Sequence, residues 1–330
     1  MKIIKLAIRS ILRFRMYSGI NVLGMALSLA CVITIFRYVY GEFTVDRFNK
    51  NLDRVFVTTQ ENSRNPGDVR FSWIRNMNRT PTFVDLLEHP GVERFSHIVL
   101  FKDDEINLDN RKYNATVLVA DSNFLKIMDY HIVSGIENMS EPNNALVTKN
   151  FAQKVFGNEN PVGQTFLHST GEIITITGII GQTSTKSTFS FDVVVSYYSN
   201  LRSYRSPQTL VLLHPNVDYR TINKQYEAFF DMPSWNETEQ IRFQLFPLSK
   251  VYFDKSISED YVFSRGNYNY VNILMAVGAL ILLVGVVSYI NIYTVVILRR
   301  GRELGIKKVF GAGGHNIFIQ LLDIIHIKFL

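Results

Sequence analysis

Between Tyr270 and Leu298 the chain runs 29 residues without one Asp, Glu, Lys or Arg. At roughly 1.5 Å of rise per residue, a helix of that length exceeds the ~30 Å apolar core of a bilayer, so it can span one with some tilt. Directly after it come Arg299, Arg300, Arg302, Glu303, Lys307 and Lys308, closed by Gly311-Ala312-Gly313-Gly314. An abrupt basic flank of this kind holds one end of a membrane helix on the cytoplasmic side. The stretch predicts a transmembrane helix over 270–298, not the buried helix of a soluble protein.

Charge follows the same division. Residues 1–40 carry six Lys/Arg and no Asp/Glu, residues 41–269 carry 23 and 27, and residues 270–330 carry six and two. Basic residues gathered at membrane ends obey the positive-inside rule, so the net charge of +6 does not point to nucleic acid. The partition puts both termini in the cytoplasm and 41–269 outside it. Cys31, the only cysteine, rules out an intrachain disulfide and a thiolate metal cage. It reads as a buried small hydrophobe.

Residues 1–16 predict a cytoplasmic amphipathic helix on the membrane surface. Lys2, Lys5, Arg9 and Arg13 form a basic stripe opposite Ile4, Ala7, Ile8, Ile11 and Phe14. That pairing suits anionic lipid headgroups. Residues 17–40 predict transmembrane helix 1, a retained anchor, since the apolar run is longer than a signal peptide's and no Ala-x-Ala site follows. Gly19, Gly24, Ala26, Ser28 and Ala30 offer small packing surfaces in it, as Gly278, Gly285, Ser288 and Asn291 do in the second span.

Residues 41–269 have ordinary soluble composition and read as an α+β domain. Strands are expected at Arg54–Gln60, Tyr113–Ala120 and Ile173–Ile180, rich in Val, Ile and Thr. Short helices are expected at Thr80–Leu87, Asn150–Phe156 and residues 219–231, with turns at His89-Pro90-Gly91 and Gly157–Gly163. Chemistry is scarce in this domain. No His-Glu-x-x-His, Gly-x-Ser-x-Gly or phosphate-binding Gly-x-x-x-x-Gly-Lys-Ser/Thr pattern occurs in the chain. His89, His97, His131, His168 and His214 are scattered, and Asp103-Asp104-Glu105 reads as a solvated turn. No catalytic, cofactor-binding or metal-binding residue is expected.

The segment Glu303-Leu304-Gly305-Ile306-Lys307-Lys308-Val309-Phe310-Gly311-Ala312 resembles the Glu-x-Gly-Ile-Arg-Lys-x-x-Gly-Ala segment of FtsX/MacB-type ABC transporter permeases. Tyr289-Ile290-Asn291-Ile292 falls where that family tends to have Phe-Val-Asn-Leu. Further similarity runs through Asp46-Arg47-Phe48-Asn49, Asp53-Arg54-Val55-Phe56, Ala145-Leu146-Val147, Phe156-Gly157 and Asn160-Pro161-Val162-Gly163. Thr177-Gly178-Ile179-Ile180 and Ser187-Thr188-Phe189-Ser190-Phe191-Asp192 continue it in the family's order.

The resemblance implies a multi-pass inner-membrane subunit with a MacB-like periplasmic core domain. It implies a cytoplasmic ABC ATPase as partner, a homodimer or pairing with another permease chain, and a periplasmic partner protein. Function would be mechanotransmission in export, efflux or envelope remodelling, and the subunit would be no enzyme itself. Residues 299–316 become the cytoplasmic coupling segment, with Arg302, Glu303, Gly305, Ile306, Lys307, Lys308, Val309, Phe310 and Gly311 contacting the ATPase. Residues 317–330 read as the start of a third, incomplete membrane helix, since about 14 residues rise only about 21 Å. The expectation is therefore a fragment, a truncated product or half of a split permease that moves no substrate by itself. The alternative architecture is a two-span receptor with an extracytoplasmic ligand-binding domain.

Overall fold

The computed structural model describes residues 15–71, 86–108, 111–204, 207–227, 230–233, 238–258 and 262–310. The chain divides into two units: a helical one from residues 1–40 and 268–330, and a sheet unit, Gly41–Asn267. The helical unit contains α1 (Arg15–Phe43), whose last residues belong to the sheet unit, and α6 (Tyr268–Val309). Both carry windows long and apolar enough to cross a membrane, Leu23–Phe43 and Tyr268–Ile290, of which only 6% is buried. Leu23, Leu27, Phe36, Ile273, Leu280 and Leu283 all stand exposed. A core helix of a soluble protein would bury that surface; a helix solvated by lipid need not.

In α1 the hydroxyls of Ser28 and Thr34 donate back to the Gly24 and Ala30 carbonyls at 2.9 and 2.8 Å. This leaves neither hydroxyl hydrogen seeking water. Cys31 departs from expectation: it is exposed on the helix surface, not buried. Its position on α1 turns it outwards, where a small apolar side chain is equally at ease in lipid. The reading of 1–16 as an amphipathic helix falls mostly outside the described residues, although Arg15 and Met16 already belong to α1.

The sheet unit is built on strands whose apolar residues recur at every position or every second one. Its first strands are β1 (Val55–Asn62), β2 (Val69–Phe71), β3 (Val92–Leu108), β4 (Arg111–Ala120), β5 (Ile132–Gly135) and β6 (Asn144–Thr148). After them come β7 (Thr165–His168), β8 (Ile173–Ile180), β9 (Val193–Ser196), β10 (Gln208–Leu213), β11 (Phe230–Pro233) and β12 (Thr238–Pro247). They form one sheet in the order β11-β12-β1-β10-β3-β4-β9-β6-β8-β5, with β2 on β1 and β7 on β3 and β8. The pairs β4–β9 and β6–β8 are parallel. The other ladders are antiparallel.

Successive side chains of a strand point to opposite faces, so a strand apolar throughout must be covered twice. In β4, Leu118 joins a core with Phe124, Leu125, Ile127 and Met128 of α2 (Ser122–Met128). Its neighbours Val117 and Val119 join another, with Phe151 and Ala152 of α3 (Lys149–Phe156). Ile222 of α4 (Tyr219–Gln225) covers a third cluster with Phe56, Val211 and Leu245. Each helix starts on a side-chain cap: Asp121 accepts from the Asn123 and Phe124 amides, Thr148 from Phe151, and Asp218 from Arg220. A short α5 (Leu248–Val251) follows β12.

Two local expectations change. The helix over 219–231 stops at Gln225, and 230–233 is instead the edge strand β11, paired with β12 from Phe230↔Ile241 to Pro233↔Thr238. Pro233 cannot continue a helix interior but is tolerated on a sheet edge. Asp103-Asp104-Glu105 is not a turn but a bulge within β3, where the register shifts between Phe101 and Asp104 and Asp103 takes φ 51°. Of the helix expected at Thr80–Leu87, only Leu86 and Leu87 lie among the described residues, and both are helical.

Candidate functional site

The segment expected to couple to an ATPase continues α6 without a break as far as Val309, and the Phe310 amide still donates to the Ile306 carbonyl at 3.0 Å. The piece from Arg299 to Val309 adds roughly 16 Å of rigid rod beyond the uncharged stretch. Ile306, Val309 and Phe310 share one helical face by their spacing of three and four, and they are 58%, 86% and 86% exposed. These three large apolar side chains are exposed together at the end of the helix. Side chains of Arg302, Glu303, Gly305, Lys307 and Lys308, and all of Gly311, lie outside what the structure describes.

Within the helical unit α1 and α6 approach closely. A Cβ placed on Gly278 would meet Ile35 Cγ2 at 3.2 Å, tighter than ordinary contact, whereas one on Gly285 would lie 3.6 Å from Ser28 Cβ. Ser288 is exposed; the Asn291 side chain is outside the described set. Beside the crossing lies an apolar cleft of about 520 Å³, bordered by Met25, Leu29, Val32, Leu282, Val286 and Tyr289.

In the sheet unit the resemblance motifs occupy structural joints. Asp46, 1% exposed, takes φ 58° and accepts from the Ser187 hydroxyl and Thr188 amide at 2.8 Å each on Oδ1, while the Thr188 hydroxyl donates to Oδ2. Burial pushes the Asp46 carboxyl above the usual carboxylate range, against the pull of these hydrogen bonds. Asn49 donates to the Ile127 carbonyl at the end of α2 at 3.1 Å. Arg54 ties Glu93 and the Leu213 carbonyl together at 2.8 and 2.7 Å. Gly157 and Gly163 take φ of 62° and 90°, and the Gly178 Cα faces the Ser134 and Ile136 carbonyls so closely that a Cβ would lie 3.0 Å from each. Sequence reading assigned no role to Asp46 or Thr188. The available signal was an acid just after an apolar span, matched by a Ser/Thr-rich motif far along the chain.

Titratable groups here are held in place by structure. Asp104 lies 2.8 Å from Nε2 of the buried His168 and accepts from the Ser169 hydroxyl at 2.7 Å. The Thr170 amide donates to His168 Nδ1 at 3.2 Å, which assigns the ring proton to Nε2, facing Asp104. His97 packs between Phe95 and Tyr197 with Nδ1 2.9 Å from Thr209 Oγ1, and burial pushes its pKa down to about 4. Among the described residues, no three His, Cys, Asp or Glu side chains are placed to hold a metal ion.

Known proteins give the wider frame. A comparison with curated proteins produces no match. Similar solved structures include a domain of a protein described as a permease from Porphyromonas gingivalis, 18% identical with TM-score 0.48, covering 64% of this chain and 96% of that one. The periplasmic region of MacB from Actinobacillus actinomycetemcomitans is 13% identical with TM-score 0.41, covering 54% and 82%. The extracellular domain of the noncanonic ABC-type transporter YknZ from Gram-positive bacteria is 13% identical with TM-score 0.40, covering 58% and 99%. The family model described as MacB-like periplasmic core domain matches residues 18–229, from within α1 to just past α4. With two apolar helices flanking an α+β unit that this model covers as far as residue 229, the chain belongs to the MacB-like periplasmic core domain family of ABC-transporter permeases, membrane proteins with a periplasmic domain.

Proposed function

We propose that this chain is a mechanotransmitting permease subunit. It couples ATP hydrolysis by a separate cytoplasmic ABC ATPase to movement of its periplasmic domain, in export, efflux or envelope remodelling. The observation that carries the reading is the unbroken α6, which runs from Tyr268 through the apolar span to Val309 and ends in an exposed ridge of Ile306, Val309 and Phe310. A continuous hydrogen-bonded helix resists bending, so displacement at its cytoplasmic end is delivered through the membrane. On this reading residues 302–311 dock the ATPase in the inner membrane's cytoplasmic face. The subunit works as a homodimer or beside another permease chain, with a periplasmic partner receiving the motion.

The test is co-purification. Phe310→Asp and Ile306→Asp leave the basic flank at Arg299 and Arg300 intact, so membrane insertion persists. Each change puts a charge into the apolar ridge and is expected to reduce the co-purifying ATPase at least ten-fold. Wild-type recovery of the ATPase with both changes present would show that the segment is only an anchor flank.

A further inference from the structure

The sheet unit begins at Gly41 and closes at Asn267, and the segments at both limits are fastened to one short stretch of loop. On the incoming side Asp46 takes its three hydrogen bonds from Ser187 and Thr188, and the Asp46 amide donates to the Lys186 carbonyl at 2.7 Å. Lys186 Nζ pairs with Oε1 of the buried Glu42, and the Tyr252 hydroxyl donates to Oε2 of the same carboxylate at 2.8 Å. On the outgoing side the Ser264 amide donates to the Thr188 carbonyl, and the Gly266 amide to the Tyr252 carbonyl, at 2.8 Å each. A Cβ on Gly266 would stand 2.3 Å from Tyr252 Cε1, so only glycine lets the outgoing backbone lie against that ring.

Two residues therefore serve both sides at once. Thr188 gives its amide and hydroxyl to Asp46 and its carbonyl to Ser264; Tyr252 gives its hydroxyl to Glu42 and its carbonyl to Gly266. The loop then enters the sheet through Asp192, which exchanges bonds with Thr116 on β4 and accepts from the Thr148 amide at the end of β6. Glu42, Asp46 and Thr188 are all buried, so water does not replace these bonds when one is strained.

We propose that Lys186, Ser187, Thr188 and Tyr252 form a clasp that makes the incoming and outgoing segments of the periplasmic domain move as one body. Force arriving through either membrane helix is then shared by both segments before it reaches the central strands. The proposal rests on the mechanotransmitting reading above and adds these positioning residues to it. Without the clasp the β1–β12 ladder and the Phe43–Phe253 ring contact would still join the two segments, but the buried polar link through Thr188 and Tyr252 would be lost.

Hydrogen exchange on the full chain in lipid nanodiscs, read by mass spectrometry, tests this directly. Asp46→Ala is expected to speed exchange over residues 262–267 at least ten-fold, although Asp46 bonds to none of them. Asp46→Asn, which keeps an acceptor for Ser187 and Thr188, should stay within about two-fold of wild type. Residues 173–180 serve as the folding control and should not change. Wild-type exchange over 262–267 in Asp46→Ala, with that control intact, overturns the clasp. If the control also loosens, Tyr252→Phe decides: it removes one hydroxyl and must raise exchange over both 42–46 and 262–267, and a rise confined to either one overturns the proposal. No ATPase is present in this assay, so its failure is distinct from a failure of the ATPase to co-purify. With the co-purifying ATPase added, ATP should alter exchange of both segments together in wild type. The same joint response in Asp46→Ala would equally refute the clasp.

Discussion

Asp46→Ala removes the acceptor for three donors in a site closed to water. The Thr188 amide is fixed by the backbone and is left unsatisfied, at about 1–3 kcal/mol. The hydroxyls of Ser187 and Thr188 can rotate, so each loses only the net worth of a hydrogen bond, roughly 0.5–1.5 kcal/mol. Alanine must also hold the left-handed φ of 58° that aspartate tolerates, at about 1 kcal/mol. The total is about 5 kcal/mol. For a unit of this size 1 kcal/mol shifts Tm by roughly 2–4 °C, so Asp46→Ala should lower it by roughly 10–20 °C. Asp46→Asn keeps Oδ1 for two of the donors, suits the same φ, and asks only that the Thr188 hydroxyl turn to accept. It also removes a buried carboxylate whose pKa burial has raised. As pH rises from 3.8, the unfolded chain releases that proton before the folded one does, so wild type loses stability through this window and the asparagine variant does not. Thermal unfolding of the full chain in detergent, followed by circular dichroism, measures all three proteins. A Tm for Asp46→Ala within 2 °C of wild type, or equal losses for Ala and Asn, would refute the reasoning.

The remaining predictions concern other parts of the molecule. His97 is neutral in the folded state with a pKa near 4 against 6.5 unfolded, so stability should fall by about 3 kcal/mol as pH drops from 6.5 to 4. A His97→Gln variant that unfolds with the same dependence over that range would show the cause lies elsewhere. With Cys31→Ser as background, Ser28→Cys with Gly285→Cys should cross-link on oxidation, because their Cβ positions stand 3.6 Å apart, within disulfide reach. Adding Gly278→Leu should suppress the bond by wedging against Ile35, and an undiminished yield counts against the observed crossing. Reporter fusions at Asn143 and Gly314 should report opposite sides of the membrane; the same side for both contradicts the two-span topology.

Sequence and tertiary structure divided the information about this protein along a physical line. Features that depend on neighbours in the chain were legible directly. The uncharged run from Tyr270, the basic flank after it and the Val- and Thr-rich run at Tyr113–Ala120 each reflect how one helix or strand meets lipid or a core, and the structure carries all three as α6 and β4. The resemblance motifs were legible as strings, but their purpose was not. Asp46-Arg47-Phe48-Asn49 and Ser187-Thr188-Phe189-Ser190-Phe191-Asp192 lie far apart in the chain, and only folding makes one the hydrogen-bond partner of the other. The same limit produced the errors. The acids at 103–105 read as a turn because local composition cannot show β3 pairing on past them with β4, and 230–231 read as helix because β12 lies beyond any local window. Cys31 read as buried because hydrophobicity alone does not say whether an apolar side chain meets protein or lipid. Local pattern follows from solvation and backbone geometry, which act within a turn or two of chain. Long-range pairing follows from which buried polar groups find each other, and that is decided only once the sheet has closed.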